Sequence, residues 1–138
     1  MRHVLLIAVG AGLLVGCGCG GGPARVKGRV VENGQPVVLE PGEQASVVFY
    51  PDAGGKPGDR AYAAGVNPDG TFELVASGGE LPPGSYLVSL EVNPGNQEAK
   101  KPKSVTGIAR FKDRYKLVKW ELKPGTNDLT IDLAKPTG

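Results

Sequence analysis

Ser85-Tyr86-Leu87-Val88-Ser89-Leu90-Glu91-Val92-Asn93, residues 85–93, is the longest regular stretch of the chain, and its period is two. Tyr86, Val88, Leu90 and Val92 fall on alternate positions, so they share one face of an extended strand. The same spacing recurs on both sides of it. Upstream, Val26, Gly28 and Val30 alternate with Lys27 and Arg29, and Val47 and Phe49 alternate within 45–50. A weaker run covers 61–66, and Phe72 and Leu74 oppose Thr71 and Glu73 within 71–76. Downstream, Val118, Trp120 and Leu122 form one stripe, and Leu129, Ile131 and Leu133 another, with Asp128, Thr130 and Asp132 facing water. Seven strands are predicted.

The punctuation between them agrees. Asn33-Gly34 suits a hairpin turn with positive φ, and Asn67-Pro68-Asp69-Gly70 fits a type I turn with Pro second and Gly fourth. Pro-Gly pairs at 41–42, 57–58, 83–84, 94–95 and 124–125 read as type II turns. Gly and Pro make up about a quarter of the 138 residues, roughly twice average usage, and turns account for most of them. Strands of this length with these breakers predict an antiparallel β-sandwich. One stretch departs from alternation: Ile108, Phe111, Tyr115 and Val118 are spaced by three and four, which predicts an irregular crossover with at most a short helix.

Several of these segments resemble one family in order and spacing. They are Val26-x-Gly28-x-Val30, Asn33-Gly34-Gln35-Pro36-Val37, Val47-Val48-Phe49-Tyr50-Pro51 and Asp69-Gly70-Thr71-Phe72. Leu81-Pro82-Pro83-Gly84-Ser85-Tyr86-Leu87-Val88, Arg114-Tyr115 and Leu122-Lys123-Pro124-Gly125-Thr126-Asn127 follow. Together they resemble carboxypeptidase-regulatory-like domains. That resemblance covers residues 24–135 and implies an all-β, seven-stranded antiparallel Greek-key β-sandwich of the transthyretin (prealbumin) type. It leaves 136–138 as a tail. Residues 38–44 (VLEPGEQ) are extra sequence relative to the pattern. Most such domains have no catalytic residues, so the resemblance transfers none.

The start of the chain has another character. Met1-Arg2-His3 is a short positive region, and 4–15 (VLLIAVGAGLLV) is an apolar run of twelve residues. Twelve suits a signal-peptide core and falls short of the roughly 18 a spanning helix needs. Leu14-Val15-Gly16-Cys17 resembles a bacterial lipobox. That resemblance implies cleavage after residue 16, fatty acylation (palmitate or its like) of Cys17, and a lipoprotein held on a membrane by its N-terminal lipid. Two or more acyl chains make such anchoring stable where one does not, each buried CH₂ adding ~0.8 kcal/mol. An ordinary secretory signal with two incidental Cys is the competing reading, against which stands the missing A-x-A-like site. Residues 17–23 then form a flexible tether of roughly 15 Å reach. Gly18 follows the Cys where Asp would resemble an inner-membrane retention signal, so the outer membrane is the favoured location.

The residues left over exclude most chemistry. The only His is His3, and the only Cys are Cys17 and Cys19. A body without His has no Ser-His-Asp or Cys-His arrangement and no His-bearing zinc site, and no phosphate-loop pattern is present. Three readings remain. Asp52, Asp59 and Asp69 could act as carboxylates or, with Asn67, as hard ligands for calcium, yet they lack calcium-loop spacing and polar loop carboxylates are ordinarily just solvated. Lys27 with Asp128 or Asp132 could form a cross-link between first and last strands, yet alternation places all three on the polar face, and such bonds form in a dry core. No enzyme activity, metal or cofactor is expected.

Charge is the remaining clue. Residues 17–96 carry five basic and nine acidic side chains, whereas 97–123 carry nine basic and three acidic. Lys100, Lys101, Lys103, Arg110, Lys112 and Arg114 are the candidate contacts for an anionic envelope polymer, carbohydrate or acidic partner. The plainer reading is a solvated basic crossover. Phe111, Tyr115 and Trp120 interleave with these cations, but they read better as core than as a stacking platform for nucleic acid, which an anchored envelope protein seldom meets. The sequence thus predicts a lipid-anchored, non-catalytic envelope module with a structural or protein-interaction role, and a binder of anionic polymer or carbohydrate as the alternative.

Overall fold

The computed structural model describes residues 22–75, 81–93, 107–111 and 115–135. Every element among them is a strand except one short 3₁₀ turn. In order they are β1 (Ala24–Glu32), β2 (Gln35–Pro36), β3 (Gln44–Pro51), β4 (Tyr62–Gly65), β5 (Thr71–Leu74), β6 (Gly84–Asn93), η1 (Gly107–Phe111), β7 (Val118–Leu122) and β8 (Gly125–Asp132). Each of the seven alternating runs overlaps a strand, and β2 is a two-residue extension of the hairpin that leaves β1.

Two sheets result. In the first, β1 is central: β2 and β5 pair with successive parts of one side of it, and β8 pairs with the other. The second has the order β4-β3-β6-β7. All pairings are antiparallel but one. β8 runs parallel to β1, from Ala24 beside Gly125 to Val31 beside Asp132, which corrects the wholly antiparallel expectation. The reason is connectivity: β7 closes the second sheet, and the chain then crosses to the first and enters alongside β1 in the same direction, as parallel neighbours require.

The inward residues of both sheets form one core. Val26, Val30, Phe72, Leu74, Leu129 and Ile131 come from the first sheet, and Val47, Phe49, Ala64, Tyr86, Val88, Leu90 and Leu122 from the second. Gly28 sits where the alternation demands an inward side chain, and the structure shows why none is present. A Cβ there would stand 2.4 Å from the Leu129 carbonyl oxygen and 2.5 Å from the Phe72 ring. The Phe72 ring fills the space that residue 28 leaves open.

Among the described residues of the crossover the one helical element is the five-residue 3₁₀ turn η1, in keeping with the short helix its spacing predicts. Ile108 and Phe111 of η1 are buried, as is Tyr115, and Trp120 packs against the core. The Trp120 indole N–H donates to the Tyr115 hydroxyl at 2.8 Å, which satisfies both polar tips inside apolar surroundings. The aromatics of the basic segment are therefore core residues, as alternation indicates. Residues 38–44 dock on the body: Leu39 N–H donates to Pro68 C=O at 3.0 Å, and the Glu43 carboxylate accepts from Glu40 N–H (2.7 Å) and Ile108 N–H (3.2 Å).

Pro94-Gly95 lies outside the described residues; of the other Pro-Gly pairs, Gly42 (φ 94°) and Gly125 (φ 85°) have the positive φ of a type II turn, whereas Gly84 stands at 146°. Asn33 (φ 49°) and Gly34 (φ 80°) both take the left-handed conformation of a type I′ hairpin. Pro57-Gly58 is not a type II turn. The positive φ values of that loop lie at Gly54 and Gly55, and Gly58 instead donates its N–H to Pro51 C=O at 2.8 Å.

Candidate functional site

The basic segment is the first place to seek a site, and two of its described cations are paired within the chain. Arg110 lies in the last turn of η1, where its guanidinium pairs with the Glu32 carboxylate at the end of β1 and lies 4.6 Å from the centroid of the Phe111 ring. Lys119 of β7 reaches 2.9 Å from Asp52 Oδ2. Lys116 and Lys123 are exposed. Lys100, Lys101, Lys103, Lys112 and Arg114 lie outside the described residues, as do Cys17, Cys19 and most of the tether. Of the six predicted anion contacts, the structure thus places only Arg110, and it places it against an acid.

The carboxylates proposed for catalysis or calcium do not converge. Asp52 closes the loop after β3. Its Oδ1 accepts from Gly55 N–H at 2.6 Å, its Oδ2 faces Lys119, and its backbone N–H donates to Ser85 C=O at 2.9 Å. The side chain is 7% exposed. The Lys119 ammonium, and after it the Gly55 N–H, hold this carboxyl below its usual range, and the same contact raises Lys119. Ser85 Oγ stands 3.4 Å from Oδ2, which places a hydroxyl beside this carboxylate. A carboxylate already neutralised by Lys119 and made less basic is a poor proton acceptor, so this contact serves the loop.

Asp69 and Asn67 shape a different turn. Asp69 Oδ1 accepts from Thr71 N–H (3.0 Å) and Thr71 Oγ1 (2.7 Å), and these bonds lower its pKa, the hydroxyl most. The Asn67 amide donates to Thr71 Oγ1 at 3.0 Å. Asp59 is exposed. Among the described residues no group of three or more His, Cys, Asp or Glu side chains could hold a metal ion.

The proposed cross-link partners are neighbours in register but not in a dry setting. Lys27 sits between Glu73 on β5 and Asp128 on β8, and its ammonium lies 3.5 Å from Glu73 with both side chains about half exposed. Asp132 is occupied otherwise, accepting from Asn33 N–H at 3.1 Å and Ala134 N–H at 3.0 Å.

Two polar residues matter more than sequence reasoning assigned. Asn127 is the hub of the β7–β8 turn. Its carbonyl accepts from Lys123 N–H at 2.8 Å, and its amide donates to the Lys123 (2.8 Å), Gly125 (3.1 Å) and Arg25 (3.2 Å) carbonyls. Tyr86 donates its hydroxyl to Pro82 C=O at 2.7 Å, tying the Pro-Pro-Gly turn to the strand it precedes. The signal for both was the turn beside them, since an Asn or Tyr next to Pro-Gly finds unpaired carbonyls within reach.

No helix among the described residues is long and apolar enough to cross a membrane. Comparison of the chain with protein-family models, curated proteins and solved structures finds no match.

Proposed function

We propose that this chain is a bacterial lipoprotein in which Cys17 carries the acyl chains, residues 1–16 are the signal, 17–23 the tether and 24–135 a non-catalytic β-sandwich module. Its role on the cell envelope is structural or interactive, with the outer membrane its favoured location. The reading rests above all on Leu14-Val15-Gly16-Cys17 standing directly behind a twelve-residue apolar run. Two or more chains on one Cys give durable attachment without a spanning helix. The non-catalytic part draws support from the body, where Asp52, Asp69, Asn67 and Asn127 are each spent on holding a turn.

The finer fold assignment belongs to the same proposal. With β2 counted as a hairpin extension, seven strands remain, and β6 returns beside β3 after the chain has passed through the other sheet. That order favours a Greek-key sandwich of the carboxypeptidase-regulatory-like, transthyretin type.

Labelling cells with radioactive palmitate tests the anchor. Wild-type chain takes up label and sediments with membranes, and Cys17→Ser loses both properties. Membrane-bound protein whose Cys17 is unmodified by mass spectrometry overturns the proposal.

A further inference from the structure

The four sheet edges are not alike. β4 and β5 are four residues each, too short to template another chain. β7 is interrupted: Val88 faces Val118, yet Leu90 N–H donates to Tyr115 C=O at 2.9 Å, so an extra residue bulges at Lys116 and Leu117, with Leu117 at φ 52°. Lys116 and Lys119 add charge there. β8 has neither the shortness nor the bulge, and its charges are two carboxylates, Asp128 and Asp132. It is eight residues long, unbroken in register along β1, and free of Pro, Lys and bulges.

Its backbone is also half unused. Gly125 and Leu133 turn their N–H groups to Pro23 and Val31, so the odd-numbered residues bond β1. The even-numbered ones, Thr126, Asp128, Thr130 and Asp132, face outward. Thr126, Asp128 and Thr130 have no backbone partner on that side among the described residues, while Asp132 C=O accepts from Lys135 N–H. Open edges of this kind recruit strands.

We propose that β8 pairs with β8 of a second copy of this chain, antiparallel about a two-fold axis at Leu129. The argument is self-complementarity. The outward side chains read Thr, Asp, Thr, Asp. With Leu129 on the axis, Asp128 faces Thr130 and Asp132 faces Thr126 throughout, and the hydrogen-bonding pairs are the outward even-numbered residues, of which Asp132 alone has its C=O engaged, by Lys135 N–H. A shift of one residue of the axis to Asp128 or Thr130 sets Asp against Asp, which is unfavourable across a ladder. A shift of two shortens the overlap. The contact is isologous, joins the first sheets of both copies into one, and closes. It goes beyond the anchored-module reading and does not require it.

Sedimentation of the full-length chain in density-matched detergent tests this. Wild type shows a concentration-dependent monomer–dimer equilibrium. Thr130→Asp brings two Asp–Asp contacts per dimer and weakens association roughly tenfold, with circular dichroism unchanged because the side chain is exposed. Asp128→Lys combined with Thr130→Asp restores pairing, and Thr130→Lys alone tightens it. Wild type that remains monomeric at all concentrations overturns the proposal. So does Thr130→Asp with unaltered association, or a double variant that fails to recover.

Discussion

Asp52 and Asn127 do the same job with opposite physics. Each side chain folds a loop back on itself at the margin of the sandwich and ties it to a distant strand, Asp52 to Lys119 on β7 and Asn127 to the Arg25 carbonyl on β1. Asp52 does so with a net charge, accepting only. Asn127 does so neutrally, both donating and accepting, which is the only way one side chain can meet an N–H and three carbonyls together. A charged hub is sensitive to pH and salt, and an amide hub is not.

Replacing the amide by a carboxylate should break the contrast most severely. Asn127→Asp turns an oxygen toward three carbonyls, which disfavours the ionised form and raises the folded-state pKa. At neutral pH the variant should lose about 3 kcal/mol, measured by urea unfolding. Because the folded form holds its proton more tightly than the unfolded one, part of the loss should be recovered as the pH falls through the raised folded value, and the recovery should be complete at the unfolded value near 4. Asn127→Ala should cost about 2 kcal/mol, with no such acid recovery.

At Asp52 the sign reverses. Its folded pKa is lowered, first by Lys119, so its contribution is present above the unfolded carboxyl value and disappears as the pH drops through the lowered one. Asp52→Asn should be less stable than wild type at pH 7, and the two should converge in acid. Asp69 titrates in the same window, but it is common to both proteins and cancels in the difference. The smallest effect expected is that of salt. One molar NaCl should narrow the gap between wild type and Lys119→Met, since Lys119 is 66% exposed, and should leave the Asn127→Ala gap unchanged.

Strand positions were legible because burial on one face enforces a period of two, as Val47 and Phe49 show. Turn positions were legible because Asn33-Gly34 needs no information from elsewhere. What pairs with what was not. Nothing local to Thr126 or Leu129 says that β8 lies parallel to β1. The cationic character of residues 97–123 was plain, but the acid that claims Arg110 is Glu32, 78 positions away. Asn127 looked like the end of a turn motif, and its third carbonyl, 102 positions away, exists only once the sheet has closed.

The central place of β1 carries a consequence for how the molecule comes into being. Its neighbour on one side is β8, so the first strand to leave any exit channel waits for the last. Until Leu129 and Ile131 have emerged, Val26 and Val30 have only half a wall to lean on. Contacts this remote in sequence make for slow closure. A polypeptide delivered one end at a time therefore stays loose through most of its passage and sets as a solid only on completion.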